Sequence, residues 1–146
     1  MVDALRRARG LVAPTGCVID LHPTSAAALI LVGDAIGGPV DTGGAKGRHQ
    51  AATDAVAAAV RDRLFTVDDT TEFDFSVYGD TLDELQQHIH DDWCEGHIGD
   101  VTFAKAQALL RASPGRRPRV RERVVINRLF PTFPTFAPPT PALTQT

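Results

Sequence analysis

Two groups of residues in this sequence carry side chains that could do chemistry. The first is an aspartate and a histidine, Asp20 and His22, in the segment CVIDLH at positions 17–22. This segment is short, apolar, rich in β-branched residues and closed by Pro23, which predicts a buried strand. Residues two apart in a strand point to the same face, so the two side chains could form an acid–base pair at the carboxyl end of the strand. A strand-end turn with a partly exposed histidine explains the same residues, and it is favoured because no nucleophile is identifiable.

The second group is a set of possible zinc ligands, His90, Cys94 and His97. On a helix these residues would stand four and three positions apart, so all three could share a face. Imidazole and thiolate are ligands that zinc accepts. A solvated helix end near which the dipole favours histidines fits the same residues, and Gly96 is expected to end the helix before His97. We therefore expect no metal site.

Length, charge and apolar content limit the class of protein. The chain has 146 residues, enough for one domain, and 15 basic against 18 acidic residues give a net charge of −3. That balance provides no electrostatic footprint for nucleic acid, and no apolar run approaches the roughly 20 residues of a membrane span. The arginine-containing start is followed by an apolar stretch that Pro14 and Gly16 interrupt, so it does not read as a signal peptide. With only two cysteines, the sequence predicts a cytoplasmic protein that binds neither nucleic acid nor membrane.

Hydrophobic periodicity predicts the elements that position these residues. We expect a single α/β domain over 1–130 and a Pro-rich tail over 131–146. The expected order is helix 2–9, strand 17–22, strand 26–32 paired with the stretch 39–41, helix 50–64, half-buried strand 71–78, a helix opened by the capping box Thr81–Glu84, helix 101–112 and strand 119–129. The tail reads as a disordered end or as a docking peptide anchored by Phe133 and Phe136.

The remaining polar and aromatic residues allow two interpretations each. A basic run precedes and enters the last strand: Arg116, Arg117, Arg119, Arg121 and Arg123. The last three alternate along the strand, which favours a solvated face that protects an edge over a phosphate-binding patch. Tyr78 and Trp93 either line a pocket or pack in the core, and His49 reads as an exposed loop residue.

Several segments resemble the late part of a class I S-adenosylmethionine-dependent methyltransferase. The pattern ALRRAR at 4–9 followed by PTGCVIDLHP at 14–23 is similar to the helix, the Pro-Gly-Gly-type turn and the fifth strand of that family, with Thr15 in place of the middle glycine. Further similar segments are ATDA at 52–55, RLF at 63–65, EFDF at 72–75, YGDTLDEL at 78–85 and RERVVI at 121–126. The resemblance covers residues 2–129 and implies a small mixed α/β sheet with an antiparallel last strand flanked by helices.

The family's cofactor-binding half has no counterpart in this sequence. Its cofactor lies on a Gly-rich loop after the first strand, whereas Gly37-Gly38 and Gly43-Gly44 show no G-x-G-x-x-G spacing and neither pair is expected to follow a strong strand and open a helix. No cofactor-binding residue can therefore be transferred. We expect a partial methyltransferase-like domain, a binding or regulatory module or remnant that is not catalytically competent alone and takes no cofactor by itself. The alternative is a methyltransferase that binds S-adenosylmethionine when a missing half or another chain completes it.

The half-domain interpretation also predicts a partner. A strand that is central in the complete fold would keep one unpaired edge here, and exposed apolar edges favour self-association. We expect a homodimer that pairs the strand 17–21 or its helix, or a partner chain that covers the exposed sheet edge.

Overall fold

The computed structural model of the chain describes residues 2–93 and 96–133. Its four helices are α1 (Val2–Leu11), α2 (Ala45–Arg61), α3 (Leu82–Asp92) and α4 (Asp100–Ala112). Its five strands are β1 (Val18–Pro23), β2 (Leu29–Val32), β3 (Ala35–Pro39), β4 (Phe65–Tyr78) and β5 (Pro118–Pro131). The predicted order of elements and the α/β class with flanking helices are confirmed. Positions 134–146 of the Pro-rich tail, including Phe136, lie outside the described residues.

The last strand, β5, organises the sheet. β4 pairs with one edge of β5 along almost its whole length, while β1 and β2 lie end to end along the other edge. β3 pairs with the outer side of β2. Every one of these pairs is antiparallel, so the last strand is antiparallel to all its neighbours as expected, and the sheet is antiparallel throughout rather than mixed.

Two helical layers cover opposite faces of this sheet at opposite ends. Helices α3 and α4 pack on one face near β2 and β3, around a core of Ala28, Ile30, Val40, Leu82, Leu85, Ile89, Ile98, Ala106 and Val120. Helices α1 and α2 pack on the other face near the end of β5, around Leu5, Val56, Ala59, Phe65 and Leu129. Side chains alternate between faces along a strand, which is why Val120 and Leu129 of one strand belong to different cores.

The boundaries of several elements differ from the predicted ones. Residues 26–28 precede β2 instead of belonging to it, and β3 is reached through a tight turn at Gly33, whose φ is +60°. Helix α2 begins at Ala45 and ends at Arg61, earlier than predicted at both ends. Strand β4 begins at Phe65 because it follows β5 beyond the alternating segment that signalled it.

The hydroxyl half of the capping box at the start of α3 forms as predicted, whereas the Glu84 carboxylate reaches the residue before the N-cap instead of Thr81 itself. The hydroxyl of Thr81 accepts a hydrogen bond from the backbone N–H of Glu84 at 3.1 Å, and the Glu84 carboxylate accepts one from the N–H of Asp80 at 2.5 Å.

The prediction that β4 is half-buried is wrong. Phe73 and Phe75 are 41% and 50% exposed, because α3 and α4 do not extend over their part of the sheet.

This uncovered part of the sheet is called the open face below. It comprises apolar side chains from three neighbouring strands, Ile19, Leu21, Phe73, Phe75 and Ile126. Ile19 and Leu21 on β1 are more than half exposed. Among the described residues β1 pairs only with β5, so its outer edge is also unpaired.

Candidate functional site

Asp20 and His22 lie on the face of β1 that α2 covers, opposite the open face. The register of β1 against β5 places Asp20 beside Asn127 and His22 beside Val125. Both side chains are largely buried, with 14% of Asp20 and 9% of His22 exposed to solvent. The two residues therefore share a face as predicted, and the burial excludes the alternative of a partly exposed histidine at a strand-end turn.

A chain of hydrogen bonds fixes the imidazole of His22. Its Nδ1 lies 2.9 Å from Oδ2 of Asp20, and the same oxygen accepts a hydrogen bond from Nδ2 of Asn127 at 2.9 Å. The Oδ1 atom of Asn127 in turn accepts one from the hydroxyl of Thr70 at 2.9 Å. A carboxylate that accepts the Nδ1 proton selects the tautomer in which Nε2 is free to act as a base.

The free nitrogen of His22 faces a hydroxyl group on α2. His22 Nε2 lies 3.2 Å from Oγ1 of Thr53, and the same hydroxyl lies 3.4 Å from the carbonyl oxygen of His49. With neutral His22, Thr53 donates its proton to Nε2. With the imidazolium form, Nε2–H donates to Oγ1 and the hydroxyl donates to the His49 carbonyl, so both forms of the imidazole are satisfied.

His22 borders a groove of about 630 Å³ between α2 and β4. One wall is apolar and is formed by Val56, Ala57, Val60, Val67 and Val125. Polar side chains at its margin include Gln50, Arg61, Thr70 and Glu72. This volume lies within the range of small-molecule sites in proteins, and Thr24, Ser25, Thr53 and Asn127 add further polar groups to the lining.

A second cavity of about 260 Å³ lies beside His49, at the carboxyl end of β1. Burial lowers the pKa of His49, against the opposing effect of its hydrogen bond to the Thr24 carbonyl at 3.1 Å, and the charges of Arg48 and His22 lower it further. Burial raises the pKa of Glu122, which lines the same cavity. His49 belongs to α2 and is half-buried, so its prediction as an exposed loop residue is wrong.

The helix that would align the three possible zinc ligands ends at Asp92. His90 is exposed in its last turn, Cys94 lies outside the described residues, and His97 forms an isolated bridge with Asp41. His97 is thus separated from the helix, as Gly96 predicted. No group of three or more His, Cys, Asp or Glu side chains suited to a metal ion occurs in the part of the chain that the structure describes.

The alternating arginines of β5 form a charged face with β4, but the prediction that they protect an edge is wrong, because β5 has strand partners on both sides. Arg123 donates to Asp74 at 2.6 Å and lies 3.6 Å from Glu72. The hydrogen bond from Arg123 is the main reason that the pKa of Asp74 is lowered.

The half-exposed Tyr78 lies between Arg117 and Arg119, and Trp93 lines the smaller cavity beside His49.

The residues present do not fit the cofactor that the resemblance implies. Gly43-Gly44 does follow a strand and open helix α2, contrary to expectation, with Gly44 at the N-cap. That strand, β3, however, belongs to an antiparallel hairpin, and the N–H of Gly43 is held by the Asp41 carboxylate at 2.9 Å. The turn is therefore not the parallel strand–loop–helix unit that binds nucleotide cofactors.

Two residues of the network, Thr53 and Asn127, escape sequence reasoning. They lie 31 and 107 positions from their partners His22 and Asp20, so no local pattern links them.

Within residues 2–93 and 96–133, none of the helices is both long and apolar enough to cross a membrane. Comparison of the chain with protein-family models, with curated proteins and with solved structures found no match.

Proposed function

We propose that this chain is a methyltransferase-like partial domain that transfers no methyl group by itself and acts as a binding module. The observation that carries the proposal is the placement of β5. It lies between β1 and β4 and is antiparallel to both, and an antiparallel last strand is what the resemblance over residues 2–129 implies.

The partner we propose is a second copy of the chain. The outer edge of β1 is unpaired among the described residues, and Ile19 and Leu21 beside it are 54% and 57% exposed. An antiparallel strand paired with its own copy about a two-fold axis needs no other sequence, and it would join the two open faces into one apolar surface. A complementary chain that supplies the cofactor-binding half is the alternative.

Sedimentation equilibrium at micromolar concentration tests the dimer. We expect a dimer for the natural chain and a folded monomer for Leu21→Lys, because charged side chains on an edge strand resist pairing and two lysines brought together across the two-fold axis repel each other. The matched control is Leu11→Lys, on the 88% exposed end of α1, which should remain dimeric. A monomeric natural chain, or a dimer that Leu21→Lys leaves intact, contradicts the proposed interface.

Calorimetric titration with S-adenosylhomocysteine distinguishes a partial domain that binds no cofactor by itself from a methyltransferase that assembly completes. We expect no heat of binding for the folded chain, because the described residues contain no loop suited to the cofactor. Saturable micromolar binding would instead mean that the assembled chain forms a cofactor site, and the alternative of a complete methyltransferase would replace the proposal.

A further inference from the structure

We propose that Asp20, His22 and Thr53 act together as an acyl-transfer site for short-chain carboxylic esters, with Thr53 as the nucleophile. The inference does not depend on the methyltransferase resemblance, because it rests on the hydrogen-bonded geometry alone. The distances from carboxylate to imidazole and from imidazole to hydroxyl are 2.9 and 3.2 Å. Nucleophilic catalysis by a hydroxyl requires this order of groups within hydrogen-bond reach.

Each residue has a distinct part in the reaction. His22 Nε2 takes the proton of Thr53 Oγ1 as this oxygen forms a bond to the ester carbonyl carbon. The C–O bond to the leaving group then breaks, and the leaving oxygen takes the proton from Nε2, which yields an alcohol and an acylated Thr53. Water adds to the acyl carbon with its proton passing to His22, the bond to Oγ1 breaks, Oγ1 recovers the proton, and a carboxylic acid leaves.

Asp20 is a positioning residue that acts through His22. Its Oδ2 accepts a hydrogen bond from Nδ1–H of His22, and its negative charge stabilises the imidazolium that forms during each step. Asn127 donates a hydrogen bond to this carboxylate, and Thr70 donates one to Asn127, so the imidazole is oriented before any substrate arrives.

The groove determines the substrate class. Its apolar wall of Val56, Ala57, Val60, Val67 and Val125 suits an aliphatic acyl chain rather than a charged one. Thr53 lies inside α2, so the helix has no free N–H groups there for the developing oxyanion. Gln50 lines the groove one turn earlier, and its amide now donates to the exposed Asp54 at 3.0 Å, a bond that can be exchanged for one to the oxyanion.

The test uses p-nitrophenyl acetate and p-nitrophenyl butyrate with the full chain, followed by peptide mass mapping of the acylated residue. We expect one acyl group on Thr53 and release of p-nitrophenol faster than in the Thr53→Val variant. His22→Gln should slow acylation by about 100-fold or more, the usual contribution of a general base. Thr53→Ser should keep the activity, and Asp20→Asn should lower kcat while KM stays the same.

Matched controls distinguish the site from general imidazole reactivity. His90→Gln removes an exposed histidine on α3, and Thr71→Val removes an exposed hydroxyl on β4 outside the groove, so both should retain full activity. The proposal is overturned if Thr53→Val keeps the acylation rate, if the acyl group maps elsewhere, or if no variant differs from the natural chain. Thr53 is exposed, so its variants remain informative even if His22→Gln fails to fold.

Discussion

Asn127 is the residue whose loss should most weaken the network around His22. It is 7% exposed, donates to the Asp20 carboxylate and accepts from the Thr70 hydroxyl. A hydrogen bond to a charged group contributes about 1.5–3 kcal/mol and one between neutral groups about 1 kcal/mol. We therefore expect Asn127→Ala to lower the free energy of unfolding by about 3 kcal/mol, which corresponds to roughly 6–12 °C in Tm for a chain of this size.

Urea unfolding followed by the fluorescence of Trp93, the single tryptophan, measures this change. A double-mutant cycle with Thr70→Val isolates the coupling. Thr70→Val alone should cost about 1 kcal/mol and should cost almost nothing once Asn127 is alanine, because the shared bond is already gone. Gln107→Ala is the carboxamide control, since the Gln107 amide oxygen accepts an exposed hydrogen bond from Arg111, and it should cost less than about 0.5 kcal/mol.

Two results would refute this reasoning. If Asn127→Ala costs no more than Gln107→Ala, the hydrogen bond from Asn127 does not stabilise the position of Asp20. If the effects of Asn127→Ala and Thr70→Val add in the double variant, the two side chains are not coupled, and the pre-orientation of His22 loses its support.

Two further predictions concern the surrounding fold. Burial raises the pKa of Glu122, so the folded state favours its protonated form. The stability that this form contributes is fully present below the pKa of the unfolded chain, near 4.5, and is lost as the pH rises through the higher pKa of the folded chain. Glu122→Gln should therefore match the natural chain at about pH 4 and exceed its Tm near neutrality, and equal Tm differences at both pH values would contradict the assignment. Gly38 has a φ of +154°, and a Cβ there would meet the Thr102 hydroxyl, so Gly38→Ala should cost about 2 kcal/mol or more in urea unfolding. Gly10→Ala, within α1 and with open space around it, should instead stabilise by about 0.5–1 kcal/mol, and the same sign for both would count against this account.

The elements of this fold were predictable where local patterns decide them. Thr81 caps α3 as its spacing indicates, and the alternating arginines of β5 share one face, although that strand is not an edge. The shared face of Asp20 and His22 also follows from the two-residue period of a strand, whatever lies around it.

The features that the sequence did not predict depend on which face of the sheet each helical layer covers. Alternation in β4 identified a strand but could not show that Phe73 and Phe75 lie beyond the reach of α3 and α4. No local pattern singles out Thr53, because its hydroxyl meets His22 only where α2 lies over β1. The sequence alone therefore did not identify the proposed nucleophile, because only this long-range packing brings it to His22.

The arrangement of β1 and β2 end to end along β5 has a consequence for how the chain acquires its structure. The only partner of β1 among the described strands is β5, and each residue of β1 pairs with one that is synthesised more than 100 residues later. Neither β1 nor β4 can complete its hydrogen bonds until the last strand has left the ribosome, and contacts so distant in sequence form slowly. A nascent chain interrupted before Pro118 therefore exposes the unpaired edges of β1 and β4, which makes it a substrate for chaperones or aggregation.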